Sequence, residues 1–280
     1  MNPRSTIPVN GVQLCVQEFG ERGDPGILLI AGAASAMDWW DTEFCERLAA
    51  GGRRVVRFDL RDTGESTTYP PGKAGYTGDD LIADAAALVE VLGLAPAHLV
   101  GISFGSGIAA QVAIRHPELV GALTLLSGSP GSDGLPGPTP EVAKAFSSET
   151  EPPDWGDEAS VAAYFLDFER LLSGSIPADE ERMRRIVHEF FARSKNLASA
   201  DNHWAAADGG EPRARLAEIA VPTLVIHGSR DPLFPPAHGA ALAREIPGAQ
   251  LLIVEGMGHQ NPPPETWDEV VPAILGLGPP

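Results

Sequence analysis

Cysteine is nearly missing from this chain. Two in 280 residues, Cys15 and Cys45, cannot build a disulfide framework, and neither has metal-ligand spacing, so both read as small buried apolar residues. Long apolar runs are lacking too. Nothing reaches the 18 residues of a membrane span, and Met1 to Asn10 carries no apolar run of the signal-peptide kind, so a cytoplasmic protein without membrane partners is expected. Positive charge is scarce: 20 Lys and Arg stand against 38 Asp and Glu, a formal net charge of −18. An acidic surface repels phosphate backbones and anionic lipid, so nucleic acid is not an expected partner and the charge reads as a solvating surface. What the chain does have is apolar content. At 43% it can bury a sizeable core, which sets disorder aside, and its length suits one large α/β domain or a core with an insertion.

Along the chain, short apolar runs alternate with helical patterns. Val9-Asn10-Gly11-Val12 is an Asn-Gly turn between strand formers, a hairpin signal. Buried strands are expected at Ile27 to Ile30, Arg54 to Phe58, Ala97 to Val100 and Ala122 to Leu126, with helices at Asp41 to Ala50, Asp79 to Leu92 and Phe104 to Arg115. This alternation implies parallel strands joined by right-handed crossovers. The rhythm then stops. Gly128 to Pro140 is rich in Gly, Pro and Ser, and from Glu141 to about Arg215 only helical periodicity appears, with candidate helices at Ser160 to Leu172, Pro177 to Arg193 and Ser199 to Ala207. It resumes with strands at Thr223 to His227 and Gln250 to Val254 and helices at Ala237 to Glu245 and Glu265 to Leu275. The expected organisation is a core in two parts, 1–128 and 217–280, interrupted by a helical segment, 129–216.

The chemistry concentrates at Gly101-Ile102-Ser103-Phe104-Gly105. With 31 glycines in the chain a Gly-x-Ser-x-Gly match alone is weak evidence. Its place between an apolar run and a helix is what counts, because a sharp strand-to-helix turn lifts one hydroxyl clear of the sheet. A serine hydroxyl is a poor nucleophile near neutral pH and needs a base, which in turn needs an acid to fix its tautomer. Asp231 follows one late strand and His259 follows the next, on a Gly256-Met257-Gly258 loop; His227 is an alternative base. A tetrahedral oxyanion needs two backbone donors. Phe104 N–H is the expected first, and the loop Ala31-Gly32-Ala33-Ala34-Ser35 supplies the second, at Ala33 with Gly32 as the alternative.

These residues resemble those of the α/β-hydrolase fold family, over about Val12 to Leu275. The resemblance implies a mostly parallel central sheet flanked by helices, with a helical cap inserted before the penultimate strand. Phe58-Asp59-Leu60-Arg61-Asp62-Thr63-Gly64-Glu65-Ser66-Thr67 looks like the family's Asp-x-Arg-Gly-x-Gly-x-Ser segment, with Asp62 standing where glycine is usual. Together with Gly-Met-Gly-His around the base, it is similar to the aclacinomycin methylesterase-like branch, whose members cleave methyl esters of anthracycline polyketides. The resemblance implies a serine carboxylic-ester hydrolase that acts through an acyl-enzyme on a small-molecule ester, with no metal or organic cofactor. Departures bear on the alternatives. Ala31-Gly32 replaces the His-Gly of many members, and the His-Gly-Gly-Pro-Gly run of proline iminopeptidases is absent. Amidase or iminopeptidase activity would need cap carboxylates, which the acidic stretch Glu149 to Asp154 could supply; lactonase, perhydrolase and a non-enzymatic small-molecule receptor are the other readings. The substrate pocket is expected to be lined by Trp39, Trp40 and Phe104, with Tyr164, Phe165, Phe168, His203 and Trp204 from the cap. If Trp39 and Trp40 are extended they point to opposite sides, so at most one should face it.

Overall fold

The computed structural model describes residues 3–148, 151–206 and 213–277. Its centre is an eight-stranded sheet: β1 (Arg4–Val9), β2 (Val12–Phe19), β3 (Gly26–Ile30), β4 (Arg54–Phe58), β5 (Ala97–Ile102), β6 (Val120–Leu126), β7 (Thr223–Gly228) and β8 (Gln250–Val254). They lie in the order β1-β2-β4-β3-β5-β6-β7-β8. The β1–β2 hairpin pairs antiparallel with β4, and every pair from β4 to β8 is parallel. Its Asn-Gly turn forms as expected, with φ of 46° at Asn10 and 78° at Gly11. Strands β3 to β7 are buried on both faces and mostly apolar, because both faces are covered, as a parallel sheet requires.

One face carries α2 (Gly78–Val91), α3 (Phe104–Arg115) and α8 (Ala237–Glu245), packed through Leu81, Leu88, Val112 and Leu242. The other carries α1 (Thr42–Ala50) and α9 (Trp267–Gly276), through Phe44, Leu48, Val270 and Ile274. Cys15 and Cys45 are buried free thiols. Burial, the largest influence on each, pushes both up to about 12, which keeps them protonated.

Between β6 and β7 the chain inserts α4 (Pro140–Ser147), α5 (Glu158–Leu172), α6 (Glu180–Arg193) and α7 (Asn202–Ala206). Helices α5 and α6 bury an apolar core of their own that includes Val161, Phe165, Ile186, Val187 and Phe190. Most boundaries shift by one or two residues from the sequence reading, and two expected helices of the insertion differ more. Helix α6 starts after Asp179 rather than at Pro177, because the Asp179 carboxylate caps it by accepting Arg182 N–H at 2.9 Å. The expected helix from Ser199 splits into a 3-10 turn over Leu197–Asp201 and the short α7, and Ala207 lies outside the described residues.

Polar ties bind the insertion to the core. Asp62 adopts a left-handed φ of 67°, which an acidic side chain tolerates better than a branched one. Its two oxygens accept Tyr69 N–H at 2.5 Å and Asn202 Nδ2–H at 2.8 Å. Asn202 Oδ1 in turn takes Gly72 N–H at 2.7 Å, and Ser199 hydroxyl donates to Tyr69 O at 2.6 Å. Aspartate at this family glycine position thus keeps the backbone shape and adds a docking point for the insertion.

Candidate active site

Ser103 ends β5 and begins α3 with φ 51° and ψ −117°. Such a conformation costs a non-glycine residue on the order of 1–3 kcal/mol and persists only where its surroundings enforce it. They do so here. A Cβ on Gly101 would sit 2.2 Å from Gly105 O, and one on Gly105 would sit 2.4 Å from Ile30 O. Ser103 N–H donates to Leu126 O at 2.9 Å, and Ser106 hydroxyl donates to Ser103 O at 2.7 Å.

The loops after β7 and β8 bring two further side chains to this turn. His259 Nε2 lies 2.8 Å from Ser103 Oγ, and His259 Nδ1 lies 2.8 Å from Asp231 Oδ2. The second oxygen of Asp231 accepts Leu233 N–H at 2.9 Å and Phe234 N–H at 2.8 Å. That carboxylate therefore has no freedom to turn, and it requires the imidazole proton on Nδ1, leaving Nε2 as acceptor for the serine hydroxyl. This chain of bonds can draw a proton from the hydroxyl as it attacks. His227, the alternative base, is otherwise engaged: it donates from Nε2 to Phe234 O at 2.7 Å, and burial lowers its pKa, so it stays neutral and braces the Asp231 turn.

The His259 loop also meets the insertion. His259 N–H donates to Leu172 O at the end of α5, 2.8 Å away, and a Cβ on Gly258 would fall 2.2 Å from that same oxygen. Glycine is thus required where loop and cap backbones touch.

Ser103 opens into a cavity of about 500 Å³. One wall is a face of α3, formed by Phe104, Gly107, Ile108 and Gln111; another is the 129–138 loop with Leu233, Phe234 and His238. Phe146 and Trp204 close the mouth from the cap, and Ala33 reaches it from the loop after β3. Among the described residues its lining holds no Lys, Arg, Asp or Glu. A separate depression on the outer cap, lined by Asp157, Asp167, Arg170 and Arg184 among others, contains none of Ser103, Asp231 and His259.

Of the expected pocket residues Phe104 and Trp204 line this cavity, Trp204 half exposed, whereas Tyr164 packs edge-on to Phe165 at 5.4 Å instead. Trp39 and Trp40 do not line it, because Met37–Trp39 is a 3-10 turn rather than an extended stretch and sends the rings into different cores. The Trp39 ring packs edge-on to Phe165 and Phe190 at 5.2 and 5.3 Å, whereas Trp40 stacks on Phe44 at 5.7 Å. Phe165 lies in the cap core, its ring edge-on to Trp39 and Phe190, and Phe168 packs on Phe146, ring centroids 5.7 Å apart. His203 is fully buried: it accepts Ala34 N–H on Nδ1 at 3.0 Å and donates from Nε2 to Arg61 O at 2.7 Å. Since Ala34 N–H is taken by His203, Ala33 and Gly32 are left as the candidates for the second oxyanion donor. Of the acidic stretch, Glu149 and Thr150 lie outside the described residues, and Glu151 to Asp154 do not line the cavity.

Several wall residues were not anticipated. Phe146 belongs to α4, whose signal was present in Thr139-Pro140-Glu141, a capping residue with proline at the first helical position. His238 is bonded to Ser129 Oγ and Pro136 O, each at 2.8 Å, and so holds one wall in place. Nothing in its sequence context marks that role.

Residues 25–262 match the model of the alpha/beta hydrolase fold. The chain belongs to that family. It is 32% identical over 282 residues to rhodomycin D methylesterase DauP of Streptomyces sp. (strain C5), covering 93% of each chain. It is 31% identical to the methylesterase DnrP of Streptomyces peucetius, again covering 93% of each. Among solved structures it resembles the enol-lactonase of Burkholderia xenovorans LB400, with TM-score 0.73, 23% identity and coverage of 98% of this chain and 99% of that one, a likeness of fold. The protein is a hydrolase with an eight-stranded, mostly parallel sheet and a helical insertion between β6 and β7. Among the described residues no helix is long and apolar enough to cross a membrane.

Proposed function

We propose that this protein is a serine carboxylic-ester hydrolase for neutral substrates, with the methyl ester of a polycyclic or aromatic acid as the leading class. Ser103 attacks the ester carbonyl while His259 takes its proton, Asp231 orients and charge-balances the imidazole, and Phe104 and Ala33 N–H groups receive the oxyanion. His259 then returns the proton to the leaving alcohol. Water, activated by the same imidazole, releases the acid from Ser103. The observation that carries this reading is the Ser103–His259–Asp231 relay, 2.8 Å at each link, at the edge of a cavity without formal charge.

That neutrality also sorts the alternatives. An aminopeptidase needs a carboxylate for the substrate amine, and a carboxylate substrate needs a cation; neither is in the lining. The methylesterase similarity and the aromatic mouth, Phe146 with Trp204, support a flat acyl group. A panel of methyl esters, p-nitrophenyl esters of varied chain length, lactones and aminoacyl amides tests the class, run beside Ser103→Ala. The expected result is turnover of methyl esters and a fall in kcat of roughly 10⁴ to 10⁶ in the variant. Near-normal turnover by Ser103→Ala would refute the assignment, and binding without any burst of acylation would favour a receptor.

A further inference from the structure

His203 lies in the cap, yet its ring is spent on the core. It accepts Ala34 N–H at 3.0 Å, donates to Arg61 O at 2.7 Å, and stacks on the Phe104 ring with centroids 5.8 Å apart and planes 26° from parallel. Ala34 N–H belongs to the Ala33–Ala34 peptide. The carbonyl end of that peptide is also held, since Ser35 hydroxyl donates to Ala33 O at 3.2 Å. The peptide is therefore gripped at both ends, immediately after the Ala33 N–H assigned to the oxyanion.

The grip has work to do, because Ala34 sits at φ 55°. Alanine has no polar side chain to favour that left-handed shape, and its Cβ disfavours it. Released, the loop would relax and turn the neighbouring donor away. The anchor itself is rigid. Arg61, whose carbonyl receives His203 Nε2–H, is held by Asp84 of α2 through two bonds of 2.7 and 2.9 Å, with both side chains buried. The charged and titratable groups around the ring are Arg61 and Asp62 from the core; desolvation, the largest influence, keeps His203 neutral below its ordinary titration range, so Nδ1 remains an acceptor.

We infer that His203 is a positioning residue that sets the oxyanion hole from the cap, fixing the Ala33–Ala34 peptide through Nδ1 and bracing Phe104 with its ring. The inference rests on the serine-esterase reading above. It also makes the donor geometry depend on cap docking, since α7 must be seated for Ala34 to be held.

The test compares His203→Phe, which keeps ring volume but has neither acceptor nor donor, with His203→Gln, whose amide offers both. A p-nitrophenyl ester gives kcat and KM, and phenylboronic acid serves as a tetrahedral mimic. Loss of one oxyanion donor costs roughly 10² to 10³ in kcat; misaiming it through His203→Phe should cost roughly 10- to 100-fold, with KM within about three-fold. Boronate affinity should fall in proportion, and His203→Gln should recover most of both. Should the Phe variant not fold, Ser35→Ala frees the other end of the peptide at a partly exposed site and should lower kcat and boronate affinity together by roughly two- to ten-fold. Wild-type kcat and boronate affinity in His203→Phe, equal losses in the Phe and Gln variants, or unchanged values in Ser35→Ala where it is needed would overturn the inference. Failure of the esterase reading looks different: the wild type would hydrolyse no ester, or Ser103→Ala would remain active.

Discussion

Replacing Arg193 with leucine should cost this protein more stability than any ordinary surface change. Arg193 ends α6 in the cap and reaches into the core. There Nε donates to Asp38 at 2.8 Å and Nη2 to Asp59 Oδ1 at 2.8 Å, with further close contacts to both carboxylates. The arginine side chain is 4% exposed and that of Asp59 not at all. Asp59 is fixed besides by Met37 N–H at 3.0 Å and Glu65 N–H at 3.1 Å, so it cannot swing out to water. One cation already faces two acids, and burial pushes the Asp38 carboxyl above its ordinary range. Without the guanidinium both acids lose their partner. Removing one member of a buried ion pair costs about 3–5 kcal/mol, which at about 2 °C per kcal/mol for a chain of this length is roughly 6–10 °C in Tm. Thermal unfolding by circular dichroism at pH 7 reads this directly, with the exposed Arg184→Leu as control. The gap between variant and wild type should narrow toward pH 5, as the orphaned carboxylates take up protons. A loss no greater than the control's, or one independent of pH, would show that the cluster is not electrostatically committed.

Two other outcomes follow from burial and from the cavity mouth. His98, His203 and His227 are kept neutral chiefly by desolvation, His98 down to about 3 from an ordinary 6.5. The unfolded chain protonates them near 6.5 and the folded chain does not. Their contribution is thus complete above about pH 6.5 and lost as pH falls toward the folded values, at up to about 4 kcal/mol per pH unit for three protons. The raised carboxyls of Asp38 and Glu169 act with the opposite sign, stabilising at low pH and losing that contribution as pH rises through their folded values. Urea titrations between pH 7.5 and 5 should therefore show stability falling on acidification, with a slope reduced by about one proton in His98→Gln; a flat profile contradicts the buried-neutral assignment. At the mouth, Trp204→Ala and Phe146→Ala should raise KM for a polycyclic methyl ester roughly ten-fold and leave p-nitrophenyl acetate within about two-fold. Equal effects on both substrates would remove the aromatic-recognition argument.

Local signals in the chain carried the sheet and the placing of Ser103, Asp231 and His259, because strand periodicity, the elbow glycines and the two loop positions are each encoded within a few residues. The cap was legible as helical periodicity but its inward surface was not. Trp39, Phe165 and Phe168 look like pocket residues in sequence, since burial in a cap core and exposure to a ligand select the same side chains. Separating them requires knowing that Met37–Trp39 coils into a 3-10 turn and that α5 packs on α6. His203 presents the same difficulty in sharper form: its partners are 169 and 142 residues away in sequence. Asp62 is the converse case, a departure from a family glycine that became intelligible once its left-handed backbone and its bond to Asn202 were known.

The contact between Gly258 and the end of α5 limits how freely this enzyme's specificity can be rebuilt. The imidazole loop hangs by its main chain from Leu172, where no side chain fits between the two backbones. A grafted cap from a relative would bring a new binding surface and also a new hook for the His259 loop. Exchange across that seam preserves reactivity only if the donor presents a carbonyl at the same height, so residues 172–174 should travel with the core rather than with the transplant.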